Sequence, residues 1–214
     1  MTPEKTTAST RPGRWTKTQR KRQIAEITLQ LIAAHGVQSV TLRQIAGAAG
    51  ISPPALYNHF SNRTEILVAV ADLIKDRVFE WIDSSQTPNI FERLRELAGS
   101  AHDSSIVDHP EAAILPLFEL IAAGRDEQLT AQLAERQLAT VQRLADIVDQ
   151  GKKQGTIRQD VDSRVVAWSL LGFGYAKDVV LLQGVSSFVT DGTADKILDK
   201  LLSDVAATPG EPSS

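Results

Sequence analysis

The chain has 214 residues, 42% of them hydrophobic, enough to bury a core as one domain or as a small domain joined to a larger one. It contains no cysteine, which excludes disulfides, thiolate nucleophiles and cysteine-bound metals. The net charge of −3 conceals an asymmetry: residues 1–67 carry nine Lys/Arg against three Asp/Glu, whereas residues 68–214 carry fourteen against twenty-three. A basic head on an acidic body suits a nucleic-acid-binding module joined to a part that does not bind it. Seven of the nine positive charges precede residue 23, so a solvated basic tail is the competing reading.

Residues 1–16 are rich in Thr, Pro and Gly and are expected to be a disordered basic arm, with Arg11 and Arg14 placed to meet phosphates or a minor groove. Residues 17–35 predict a first helix: Ile24, Ile27, Leu31 and Ala34 form its apolar stripe, and Gly36 stops it. Lys17, Arg20, Lys21 and Arg22 crowd its first turns, where positive charge is mildly unfavourable unless a phosphate backbone lies nearby.

Residues 41–67, TLRQIAGAAGISPPALYNHFSNRTEIL, predict two very short helices, a tight turn and the start of a third helix. Thr41 and Gln44 are spaced as a capping box, and Asn62 and Glu65 repeat that spacing. Gly50 sits where the chain must enter the left-handed region. Ser52 caps the next helix, with Pro53 at its first position. Helices this short are unstable alone, so Ala46, Ile51 and Leu56 must pack them together, as in a helix-turn-helix. A structural helix pair without a ligand shares that pattern. The outward residues Ser52, Ala55, Tyr57, Asn58 and His59 offer hydroxyl, methyl, amide and imidazole groups and no acid, which favours DNA.

This stretch resembles the DNA-binding domain of the TetR family of bacterial transcriptional regulators. The resemblance rests on Thr41–Leu42–Arg43, Ile45–Ala46, Gly50–Ile51–Ser52, Leu56–Tyr57–Asn58–His59–Phe60 and Glu65–Ile66–Leu67, with Arg63 where the family usually has lysine. It covers about the first third of the chain. It implies an all-α, two-domain regulator that binds double-stranded operator DNA as a homodimer, most commonly as a repressor released by a small-molecule effector. Arg43 and Gln44 are expected at base or phosphate. Ser52, Pro53, Ala55 and Asn58 are expected at base edges, and Thr41, Tyr57, His59 and Arg63 at phosphates.

Residues 63–84 predict a long strut joining head to body, and residues 90–206 read as all-helical, with helices near 90–102, 110–123, 126–154, 163–183 and 193–206. Segment 163–183 is apolar around most of its circumference and contains Gly172 and Gly174. Pairing of 163–183 and 193–206 with a second copy would cover it, through Val165, Trp168, Leu171, Ile197 and Leu201. Burial within one subunit is the alternative. In the resembled family the equivalent helices form a four-helix dimer interface.

The expected organisation is a 1–16 arm, a DNA-binding domain over 17–67, a helical ligand-binding and dimerisation domain over 68–207, and a disordered 208–214 tail. The family resemblance implies an apolar effector pocket, for which Phe91, Phe118, Glu119, Trp168 and Tyr175 are the candidates. His102, Asp103, Asp108 and His109 have metal-ligand chemistry, but HDSSIVDH followed by Pro110 reads more readily as a polar loop, so no metal or cofactor is expected. No nucleophile elbow or glycine-rich phosphate loop appears, and an enzyme is not expected. A constitutive DNA-binding protein without an effector and a metal-dependent sensor or enzyme remain as alternatives. No apolar run approaches the ~20 residues that cross a bilayer, and no secretory signal is visible, so a cytoplasmic location is expected.

Overall fold

The computed structural model describes residues 16–85, 87–99, 114–123 and 126–207. The expectations for the arm, for 102–109 and for the 208–214 tail lie outside the described residues, apart from Thr16. The fold is all-α: the described residues contain no strand, only an isolated bridge between Ile157 and Ala206.

Helix α1 (Lys17–His35) opens on a capping box whose Thr16 is the last residue of the expected arm. The Thr16 hydroxyl accepts the Gln19 N–H at 3.1 Å, and Gln19 Oε1 accepts the Thr16 N–H at 2.9 Å. Helices α2 (Leu42–Ala48) and α3 (Pro53–Leu56) follow, joined through Gly50 at φ +65°. The α-helical part of α3 is a single turn, shorter than expected. Beyond it, His59 N–H bonds the Leu56 carbonyl at 2.9 Å and Asn58 N–H bonds the Ala55 carbonyl at 3.2 Å, so Tyr57, Asn58 and His59 continue as tighter i→i+3 turns.

Helix α4 (Arg63–Ser84) is capped by Asn62, which accepts the Glu65 N–H at 2.8 Å. The expected reciprocal bond is displaced by one residue: Glu65 accepts the Ser61 N–H at 2.8 Å, not that of Asn62. That backbone N–H holds the Glu65 carboxyl below its ordinary range.

The body contains α5 (Ile90–Gly99), α6 (Leu115–Ala122), α7 (Glu127–Lys153), α8 (Ser163–Leu182), a short unexpected α9 (Ser187–Thr190) and α10 (Thr193–Ser203). Helix α10 ends before residue 206 because the chain there turns to pair with the connector before α8. Arg158 N–H bonds the Val205 carbonyl at 3.0 Å, and Ala207 N–H bonds the Thr156 carbonyl at 3.1 Å. Gly151 on α7 lets that connector close in, since a Cβ there would lie 2.6 Å from Ile157 Cδ1.

Three apolar cores hold the described residues together. The first gathers Ile24, Ile32, Ile45, Leu56, Ile66 and Val70 from the first four helices, and it also takes in Leu120 of α6 and Leu129 of α7. Each fully buried aliphatic side chain contributes about 1.5–3 kcal/mol, so Ile45 and Leu56 are what stabilise the one- and two-turn helices that carry them. The second core lies between α5, α7, α8, α10 and the end of α4, around Leu94, Val148, Ala167 and Leu202. The third, smaller core joins Ile114, Leu181, Val189 and Ala194.

Helix α8 is 20 residues long with mean hydropathy 1.5. By length and composition alone it could cross a membrane, which corrects the expectation that no apolar run approaches the ~20 residues a bilayer needs. Its inward residues Val166, Ala167, Leu170 and Leu181 are instead buried against the other helices.

Candidate nucleic-acid interface

The exposed sides of α2 and α3 carry most of the residues expected to meet DNA. Arg43, Ser52, Pro53, Tyr57 and Asn58 are exposed, while Ala55 and His59 are half-buried. Tyr57 keeps 55% of its surface although it is a large aromatic, because its ring leaves the head after the last α-helical turn of α3. The Ser52 hydroxyl accepts the Ala55 N–H at 3.3 Å, so part of its hydrogen-bonding capacity is used in capping α3.

Thr41 and Gln44 are also partly committed. The Thr41 hydroxyl accepts the Gln44 N–H at 3.3 Å and donates to Gln44 Oε1 at 2.7 Å, and the same oxygen accepts the Thr41 N–H at 2.8 Å. Only the Gln44 side-chain amide N–H groups stay available to an outside acceptor. Among the described residues the His59 Nδ1 is buried without a hydrogen-bond partner. Arg63 differs most from its expected role: its guanidinium donates to the Val37 carbonyl inside the head.

Two basic residues of α1 serve the geometry of the helix pair. Arg20 Nη2 donates to the Ala49 carbonyl at 2.9 Å and so caps the C-terminal end of α2, where a cation also meets the favourable end of the helix dipole. Lys21 Nζ lies 5.0 Å from the centroid of the Phe60 ring. The sequence signal for both was their charge alone. The partners come from elements about thirty to forty residues away.

In the body, two of the five candidate effector residues meet. The Phe118 and Tyr175 rings pack edge to face at 6.1 Å and 71°, and the Tyr175 hydroxyl donates to Gln137 Oε1 at 2.6 Å. Burial pushes the Tyr175 phenol above its ordinary value. The sequence signal for Gln137 was its four-residue spacing from Leu133 and Val141, which places it on the inward side of α7. The other three candidates lie elsewhere. Phe91 packs on the second core, Trp168 is 42% exposed, and the Glu119 carboxylate turns to the head, where it accepts the Val37 N–H. An open acidic cleft lined by Asp76, Phe79, Glu80 and Asp83 runs along α4, away from these residues.

Near Tyr175, Lys177 and Asp178 are half-buried, and desolvation lowers the ammonium and raises the carboxyl from their ordinary values. Among the described residues no cluster of His, Asp or Glu could hold a metal.

Of the residues expected to pair two copies, Val165, Trp168 and Ile197 are exposed, at 60%, 42% and 45%. Leu171 and Leu201 are partly buried against the second core of the same chain. The exposed stripe of α8 continues through Gly172, Ala176 and Val179, and no described atom lies within 4 Å of where a Gly172 Cβ would stand.

Comparison with known proteins agrees with this geometry in both halves. Residues 24–70 match the family model for bacterial regulatory proteins of the tetR family, and residues 91–180 match the tetracyclin repressor-like C-terminal domain. The HTH-type transcriptional repressor KstR2 of Mycobacterium tuberculosis is 24% identical over 151 residues, covering 69% of this chain and 74% of that protein. The structure of a TetR-family transcriptional regulator from Cytophaga hutchinsonii superposes with a TM-score of 0.73 at 18% identity, covering 91% of this chain and 99% of that one. FadR of Bacillus subtilis, solved with stearoyl-CoA, has a TM-score of 0.66 at 22% identity, covering 86% and 98%. With a matched DNA-binding model on the helix-turn-helix and a matched C-terminal model on the body, the chain belongs to the TetR family of bacterial transcriptional regulators.

Proposed function

We propose that the protein is a homodimeric repressor that binds operator DNA through α2 and α3 and is released by an apolar small molecule held in the body. The observation that carries this reading is the exposed set Arg43, Ser52, Pro53, Tyr57 and Asn58 on a buttressed helix pair, with no acidic side chain among them. Arg43 is the cation placed for a guanine edge or a phosphate. Asn58 and Ser52 supply adaptable hydrogen bonds, and Ala55 suits a thymine methyl. Tyr57 and the His59 ring supply phosphate donors, while Thr41, whose N–H and hydroxyl both donate to Gln44 Oε1, acts by holding Gln44, which reads with its free amide N–H groups. In this reading 17–67 is the DNA-binding domain, 68–207 is the ligand-binding and dimerisation domain, and the protein acts in the cytoplasm without enzymatic activity.

The dimer is supported by the apolar stripe of α8. Val165, Trp168 and Val179 flank Gly172 and Ala176, two small residues four apart that permit close approach of a partner helix, and Ile197 of α10 extends the face. Leu171 and Leu201 support that face from beneath. Two copies would present their α3 segments to successive major grooves, roughly 34–36 Å or a multiple apart.

The effector reading rests on Phe118, Tyr175 and Gln137, an aromatic corner with one polar handle. FadR is solved with stearoyl-CoA, and an acyl chain against such a corner is a chemically reasonable first probe.

The test is selection of a duplex from a random pool by the full-length protein, followed by binding across a salt series. The expected result is one enriched, pseudo-palindromic sequence, bound about tenfold or more weakly by Arg43→Ala, the effect of losing one good base contact. Equal affinity for the selected and for unrelated duplexes would sink sequence-specific regulation. Stearoyl-CoA added to the complex then probes release.

A further inference from the structure

The contact that neither DNA binding nor the aromatic corner uses is the one between Glu119 and the turn after α1. Val37 is 4% exposed, and both of its main-chain polar groups are taken by charged side chains from different parts of the chain. Its N–H donates to the Glu119 carboxylate of α6, and its carbonyl accepts from the Arg63 guanidinium at the start of α4. Gly36 makes this approach possible in two ways. Its φ of +77° with ψ of 150° belongs to a region that is essentially glycine-only, and a Cβ there would lie 3.1 Å from Glu119 Oε1.

Helix α6 is therefore short and two-sided. Phe118 touches Tyr175 in the body, the next residue holds the head, and Leu120, fully buried, belongs to the head's own core. The corner after it is tied as well, since the Thr64 hydroxyl of α4 donates to the Asp126 carboxylate that caps α7.

We propose that Glu119 is a positioning residue for operator binding: it holds Val37 against Arg63, and so sets the turn that launches the helix pair. A ligand beside Phe118 weakens operator binding by drawing Glu119 away. This rests on the repressor reading above. When the carboxylate leaves, a main-chain donor in a buried site loses its partner, so the turn must move to find another. Displacement of α6 thus reaches the operator-binding surface through the Glu119–Val37 hydrogen bond, which Leu120 in the head core supports from the same helix.

The test uses the full-length chain and the duplex that the wild type selects. Glu119→Ala should speed exchange of the Val37 amide in DNA-free protein by more than tenfold. It should weaken the selected duplex about tenfold, the effect of one charge-assisted hydrogen bond, with unrelated DNA little changed. Glu119→Gln keeps an acceptor oxygen and should recover most of both effects, which a role in bulk packing or net charge would not give. In an Arg63→Ala background Glu119→Ala should add nothing, and Phe118→Ala should weaken the duplex only while Glu119 is present. Wild-type affinity in Glu119→Ala, or additive losses with Arg63→Ala, would overturn the proposal and leave the repressor reading standing. Failure of the wild type to select any duplex would overturn both.

Discussion

The head and the body solve the same problem with different completeness. In the head, α1 to α3 and the first half of α4 turn their apolar residues onto one core, every helix start has a side-chain cap, and most polar residues are left outside, with Thr28 the buried exception, bonded to the Ile24 carbonyl at 2.7 Å. In the body, α8 buries one side on α7 and α10 but leaves Val165, Trp168 and Val179 in solvent, and α10 adds Ile197. A single chain therefore completes its head, aided by Leu120 and Leu129 from the body, but leaves an apolar face of its body uncovered. Polar exposed residues on a finished fold point to a polar partner such as DNA, whereas apolar exposed residues on an unfinished one point to a partner helix.

The largest effect that tests this contrast is on the head core. Leu56 is 1% exposed and is the main anchor of a one-turn helix, so Leu56→Ala should lower the stability of the protein by about 2–5 kcal/mol in denaturant unfolding. Operator binding should fall with it. A loss below about 1 kcal/mol would mean that α3 is held by something other than this core.

A smaller effect on stability, but a clear one on assembly, is expected on the body face. Nothing described approaches Gly172, so Gly172→Leu should fold as well as the wild type yet shift sedimentation from dimer to monomer. An unchanged assembly would remove α8 as the interface and with it the body's half of the contrast.

The smallest effect lies at the junction between the two regions. The Thr64 hydroxyl, followed by the Leu129 N–H, holds the Asp126 carboxyl below its ordinary range. A carboxyl whose folded value is depressed contributes stability that is present above the ordinary carboxylate value and is lost as pH falls through the folded value. Thr64→Val should therefore lower the neutral melting temperature slightly and leave the acid one unchanged, which narrows the drop between them by the same amount. An acid drop identical to the wild type would mean that Asp126 is not part of the tie.

How much was legible in advance follows the same division. Thr41, Gln44, Gly50, Ser52, Pro53 and Asn62 act within a few residues of themselves, so capping and turn chemistry announced the helix pair and most of its boundaries. Where local rules were pushed further they slipped. The Glu65 partner is one residue off, and α3 loosens into i→i+3 turns after Leu56. The effector candidates fared worse, because aromatic type and helical position do not say which side of a helix meets which neighbour. Phe118 and Tyr175 meet, Trp168 faces solvent, and Phe91 joins another core.

The sequence by itself determined the all-α fold, the helix-turn-helix and the chemistry offered on its outer side, because each depends on periodicity, caps and glycines read over short spans. Only the tertiary structure decided that Arg63 and Glu119 meet at Val37, that Arg20 caps α2, and that Gln137 holds Tyr175. Those contacts join residues from 26 to 82 positions apart. No local pattern encodes such a pairing, since it follows from how whole helices pack.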